Sequence, residues 1–280
     1  MSAVRTAPPA TGSAAAGAPA TARPARARGR RRALVVRLVS LAVVLTAWEL
    51  YGRSVHPILF TYPTAIARAF VELALNGELW SFASSSLQVL ALGVLLATVV
   101  GIPFGVLIAR FPAVEHATDL YISALYATPT VALVPVLVLW FGFEIKAKVV
   151  VVFLFALFPI LINTYQGVKS VDPRLLEVAR SFCSGERALW TDVILPSAVP
   201  FIAAGLRLAV GRALIGMVVA EFSTSITGLG YMIVQYANSY QTDKLFVPIV
   251  FLMFLGVVLT EGLRRLHERI APWNRQGGDT

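Results

Sequence analysis

Residues 171–200, VDPRLLEVARSFCSGERALWTDVILPSAVP, decide how this chain reads. Long apolar runs lie on both sides of the stretch. Within it stand Asp172, Arg174, Glu177, Arg180, Glu186, Arg187 and Asp192, a charge density matched only by the N-terminal tail. Asp172 followed by Pro173 is a helix start: a carboxylate over free N–H groups, then a residue with no donor to satisfy. Leu175, Leu176, Ala179 and Phe182 recur at helical spacing, and Ser184-Gly185 is expected to end the turn. A second short helix is expected over 186–195, stopping before Pro196. Two short amphipathic helices therefore stand in water between two membrane spans. Their apolar stripe either packs beneath the chain's own spans or is offered to a partner.

Outward from that loop the composition is that of a chain in lipid. Hydrophobic residues make up 57% and charged residues only 14%, too few charges for an ordinary soluble surface. The net charge of +9 does not argue for nucleic acid, because the excess sits in the tail and in loops flanking apolar runs. Six spans are predicted, near 33–51, 82–109, 120–141, 148–165, 199–220 and 245–263, each close to the ~20 residues a bilayer core requires. Seventeen Lys and Arg fall on the side of the tail and the 171–200 loop, against five on the other. That asymmetry predicts both termini and the loop in the cytoplasm. Residues 1–32, rich in Ala, Pro and Arg, read as a disordered basic tail, neither a transit peptide nor a cleaved signal. The six-span domain covers 33–265, with the loop at 171–197, and 266–280 forms a cytoplasmic C-terminal tail.

The outer segments are short. Pro63 starts an amphipathic helix with Ile66, Phe70 and Leu73 on one face and Gly77 at its end, expected at the membrane–water boundary. Gly228 and Gly230 permit a sharp turn before a second such helix marked by Leu229, Ile233, Tyr236 and Tyr240. Prolines at 103, 129, 135 and 159 interrupt the spans, as kinks for packing first and also as bends of helices around a pathway, and the Gly101–Gly105 pair suits a close helix contact.

Catalytic chemistry is absent from the sequence. No G-x-x-x-x-G-K-[ST], H-E-x-x-H, C-x-x-C or G-x-S-x-G occurs, so no catalytic residue, bound cofactor or metal site is assigned. Cys183 is the only cysteine, which excludes an internal disulfide. His56, with no second ligand nearby, reads as a solvated loop residue. The unusual residues are charges inside the fifth span: Arg207, Arg212 and Glu221. Charges in a bilayer are functional candidates by default. Arg207 is expected to reach the headgroups by snorkelling. Arg212 lies deeper, either bound to carbonyls of a neighbouring helix or exposed to a watery cavity where an anion could meet it. Arg212 and Glu221 are the pathway candidates.

Glu177-Val178-Ala179, followed at fixed offsets by Trp190, Val193, Leu195 and Pro196, resembles the EAA loop of importer permeases of the ATP-binding-cassette class. Further likeness runs through Tyr126 to Pro135, Trp140-Phe141-Gly142, Phe158-Pro159, Asn163-Thr164-Tyr165, Gly205-Leu206-Arg207, Gly211 to Leu214 and Ala220-Glu221-Phe222. These look like the nitrate/sulfonate/taurine branch. The resemblance implies an all-α membrane protein with the type I importer permease fold, in the bacterial inner membrane. It implies a homodimer with the pathway between the two copies, two cytoplasmic ATPase subunits carrying ATP-Mg, and an extracytoplasmic solute-binding protein. The 171–197 loop would then be the coupling helix that docks on the ATPase, through Asp172, Leu175, Leu176, Glu177, Ala179, Arg180, Phe182, Cys183 and Gly185. The family usually has Gly where this chain has Cys183, so the turn is expected to pass to Gly185. The rival reading is an ion-coupled secondary transporter. It would call for inverted repeats or paired intramembrane carboxylates, and neither is found.

Overall fold

The computed structural model describes residues 23–224 and 226–270. The chain divides at Leu50/Tyr51 into two units. In the first, helix α1 (Arg23–Ser54) begins inside the stretch expected to be a disordered tail. Its apolar part from Leu34 is long enough to span a bilayer. Residues 1–22 and 271–280 lie outside the described residues.

The second unit is built of helices joined by short turns, with no strand among its described residues. Helix α2 (Pro63–Leu75) starts on its proline and ends before Gly77, which takes φ +83°. It does more than lie on a boundary: Ile66, Ala69 and Leu73 are buried against the bundle. Lys244, in α11 (Thr242–Ile270), grips Glu72 of α2 at 2.8 Å. The central packing is made by α3 (Glu78–Arg110), α6 (Ile145–Lys169) and α9 (Leu195–Thr224). Val89, Leu90 and Ala97 of α3 meet Val152, Ala156 and Ile160 of α6 and Ala209, Ala213 and Met217 of α9. Small residues make this approach possible. A Cβ on Gly105 would sit 2.7 Å from the Leu161 carbonyl oxygen, and one on Gly101 would press on Ile160 at 3.1 Å. The close contact expected at Gly101 and Gly105 is therefore present, between α3 and α6.

Two spans depart from the sequence expectation. The third is not one helix but two, α4 (Pro112–Ala127) and α5 (Thr130–Phe141), bent by 95° at Thr128-Pro129. Proline drives the residue before it into extended backbone, and Thr128 has ψ 130°. Among the described residues five helices are long and apolar enough to cross a membrane, or six if this bent pair is one broken span. Second, the helix after the polar loop does not stop at Pro196. Helix α8 (Glu186–Ala188) passes through a π-helical turn, Leu189–Ile194, directly into α9. In the wide turn the Leu195 amide donates back to Trp190, five residues away. Pro196 then falls in the first turn of α9, where a missing N–H does least harm.

Candidate pathway and coupling surface

The polar loop forms its first helix as expected: α7 (Pro173–Ser181), with the Asp172 carboxylate accepting from the Arg174 amide at 2.9 Å. Its apolar stripe is divided. Leu176 and Ala179 turn inward against Val171, Leu189 and Ile194. Leu175, Val178 and Phe182 face outward, with Phe182 81% exposed. Of the residues expected on the docking face, Leu175 and Phe182 are therefore exposed, whereas Leu176 and Ala179 hold the loop to the bundle. Glu177 and Arg180 flank the outward face and are exposed.

The turn after α7 is also corrected. Cys183, not Gly185, takes the left-handed conformation, with φ +55°. Gly185 has φ −67° and serves as the N-cap of α8. The Cys183 amide donates to the Arg180 carbonyl at 2.8 Å and the Ser184 amide to Ala179 at 3.1 Å. This bond pair defines a Schellman ending, whose left-handed position is most often glycine. Tyr240 (φ +55°) closes α10 (Leu229–Asn238) in the same way, with Gln241 donating to Tyr236.

Further along the bundle, Arg212 on α9 is exposed and stands at the open wall of a cavity of about 390 Å³. Leu154, Phe155 and Phe158 of α6 line one side and the Thr128-Pro129-Thr130 break the other. Its Nη2 donates to the Tyr126 hydroxyl at 3.0 Å, and its guanidinium carbon lies 5.1 Å from that ring's centroid. Arg212 thus bonds a hydroxyl of α4, not backbone carbonyls, and lines the cavity. Among the described residues no carboxylate neutralises it. The N-terminus of α5 opens on the same cavity, and its N-cap, Pro129, has no side-chain capping bond. A guanidinium and the positive end of a helix dipole thus converge where an anion could sit. Sequence carries Tyr126 only within the family likeness and does not single out the α5 terminus; the signal is Thr128-Pro129, where the helix breaks rather than kinks. Arg207 is half-buried, with its Nε enclosed and without a hydrogen-bond partner.

Glu221 lies in the interior of the single chain. It is fully buried. Its Oε1 accepts from Ser86 Oγ at 2.6 Å and its Oε2 from the Gly230 amide at 2.7 Å, while Ser86 Oγ accepts from the Leu229 amide at 2.8 Å. Carboxylate and hydroxyl together cap the first turn of α10 from outside, an anion at a helix N-terminus. Glycine is required here, since a Cβ on Gly228 (φ +112°) would fall 2.2 Å from Glu221 Oε1. Lys148, at the start of the fourth predicted span, is 5% exposed and donates to the Thr227 carbonyl at 2.8 Å, holding the same turn from α6. At the far side of α10 the Tyr236 hydroxyl donates to Glu78 at 2.6 Å. Burial, then the Glu78 carboxylate, push the Tyr236 phenol well above the usual tyrosine range.

Long packed helices, one broken at a proline, a charged cavity between them and a water-side loop with an exposed apolar face define a multi-span membrane transport component. The chain belongs to the family of binding-protein-dependent transport system inner membrane components, whose model matches residues 101–272. It is 35% identical over 248 residues to SsuC of Bacillus subtilis (strain 168), named for aliphatic sulfonates transport, covering 88% of this chain and 90% of that one. It is 29% identical over 251 residues to the taurine transport system permease protein TauC of Escherichia coli (strain K12), covering 87% and 91%. The fold is similar to that of a chain of the inward-facing MetNI methionine ABC transporter, with a TM-score of 0.60 at 16% identity over 69% of this chain and 97% of that one. The type I importer permease fold expected from the resemblance is thus found.

Proposed function

We propose that the chain is the permease subunit of an ATP-driven importer for a small oxyanion of the sulfonate or taurine kind. The observation that carries the reading is Arg212, unneutralised at the α5 N-terminus within a cavity large enough for such a solute. A planar guanidinium suits a sulfonate, whose three oxygens can accept two parallel N–H bonds. The names of the sulfonate and taurine relatives support the same substrate class. Two copies would enclose the pathway. In support, α4 buries none of its own residues and exposes Leu120, Tyr121 and Leu125. A solute-binding protein would deliver substrate at one end, and two ATPase subunits carrying ATP-Mg would dock at the other, on Leu175, Val178 and Phe182. The polar loop and both termini would then be cytoplasmic, in agreement with the distribution of Lys and Arg. The decisive experiment is uptake of radiolabelled taurine and of an alkanesulfonate by the complex reconstituted in vesicles. Arg212→Met should abolish ATP-dependent uptake while dimer and ATPase remain assembled. Uptake that proceeds unchanged without ATP, or normal uptake by Arg212→Met, would overturn the proposal.

A further inference from the structure

We propose that the end of α3 and the segment leading into α9 form a seat for one anionic phospholipid. The seat is a shallow, widely open groove of about 550 Å³, lined by Pro103, Val106 and Leu107 on its apolar side and by Arg110, Arg187 and Trp190 at its polar mouth. Its two ends differ in chemistry. Pro103 to Leu107 belong to the last two turns of a helix long and apolar enough to cross the bilayer, so they lie at hydrocarbon depth, Pro103 about 10 Å inside Arg110. Arg110 ends that helix and marks the water boundary.

The mouth is assembled rather than incidental. Arg110 Nη2 bonds Glu186 at 2.6 Å, which ties α3 to α8. The Arg110 guanidinium carbon lies 5.4 Å from the Trp190 ring centroid and 5.6 Å from that of Phe111. Glu186 answers one of the two arginines. Arg187 is exposed and makes no ion pair among the described residues, so the mouth keeps a net positive charge. Aromatic rings beside arginine at a span's end are the usual furniture of the headgroup layer, and basic pockets between spans bind acidic headgroups. An acyl chain along Val106 and Leu107, with its phosphate at Arg187 and Arg110, satisfies both ends at once.

Depth and charge select this occupant. A soluble partner such as an ATPase cannot reach walls that lie in hydrocarbon. A two-fold contact between copies centred here would set the same arginines against one another. The inference rests on the membrane-spanning character of α3, not on what the protein transports.

The test is native mass spectrometry of the full-length permease in detergent, titrated with phosphatidylglycerol or phosphatidylcholine. The wild type should retain one phosphatidylglycerol per chain in preference to phosphatidylcholine. Arg187→Gln combined with Arg110→Gln should weaken that retention roughly tenfold or more and leave phosphatidylcholine unaffected. Leu107→Trp, which fills the groove and keeps both arginines and the Glu186 tie, should also remove the bound lipid. It serves as the independent variant if the double substitution fails to assemble. Equal retention of the two lipids by the wild type, or phosphatidylglycerol unchanged in Leu107→Trp, would overturn the proposal. So would variants that keep the lipid but lose the dimer in the same spectra, since the groove would then be an interface between copies.

Discussion

Cys183 shows how one backbone angle can matter more than a side chain's chemistry. It occupies the left-handed position of a Schellman ending, where an L-residue is disfavoured by ~1 kcal/mol relative to glycine. Cys183→Gly should therefore raise thermal stability slightly. Cys183→Val, with a branched Cβ in the same conformation, should lower it by more than the glycine gains. Both are readable from melting of the detergent-solubilised protein. Glu221 makes the complementary case, a side chain fixed by the backbone it serves. Glu221→Gln keeps an acceptor for the Gly230 amide, whereas Glu221→Ala leaves that amide and Ser86 without it, at a cost of roughly 2–4 kcal/mol. Hydrogen exchange at Leu229 and Gly230 should accelerate strongly in Glu221→Ala and little in Glu221→Gln. Slow exchange in Glu221→Ala would mean that α10 does not depend on the carboxylate. Sequence reading found Glu221 because a carboxylate among apolar residues is conspicuous. Its role was hidden, because the groups it serves come from a serine on α3 and a glycine turn beyond its own helix.

At the scale of elements, periodicity located the helices well and misjudged their ends. The stretches 82–109, 148–165 and 245–263 all fall inside the helices α3, α6 and α11. Prolines were the source of error, in both directions. Pro129 was read as a kink and breaks its span by 95°, while Pro196 was read as a stop and is absorbed by a π turn. Which outcome a proline has depends on whether neighbouring backbone can shift its hydrogen-bond register, and sequence does not display that. The stripe on α7 was likewise legible as a stripe but not as two faces. Residues 175, 178 and 182 share one side and 176 and 179 the other, a division fixed by where Val171, Leu189 and Ile194 stand. The faces make separable predictions. Leu176→Asp puts a charge against that cluster and should destabilise the permease itself by a few kcal/mol, lowering its yield in the membrane. Phe182→Asp touches only the exposed face. It should leave the permease folded but abolish co-purification of the ATPase and ATP-driven uptake. If both variants lose ATPase binding at normal yield, the two-face assignment is wrong.

The whole molecule converges on its two ends. The polar loop is tied to the ends of spans by Arg110–Glu186, and at the same end Lys169, the last residue of α6, bonds Glu115 of α4 at 2.6 Å. Motion imposed on the loop would be carried inward by an almost unbroken helical segment, from Glu186 through the π turn to Arg212 and on to Thr224. At the opposite end the clasp of Glu221, Ser86 and Lys148 joins α3, α6 and α9 to α10. This arrangement makes sense as a transporter only if the loop end faces the ATP-containing side, so its orientation is the proposition on which the mechanism stands. Cys183 can report it without engineering, being the only thiol in the sequence and exposed on the loop. A membrane-impermeant maleimide should label Cys183 in inverted vesicles and leave it unlabelled in intact cells. Adding the cognate ATPase to the vesicles should then slow labelling, because Phe182 beside it would be covered. Phe182→Asp should restore the fast rate. Labelling in intact cells would reverse the topology and, with it, the assignment of 171–197 as the coupling loop.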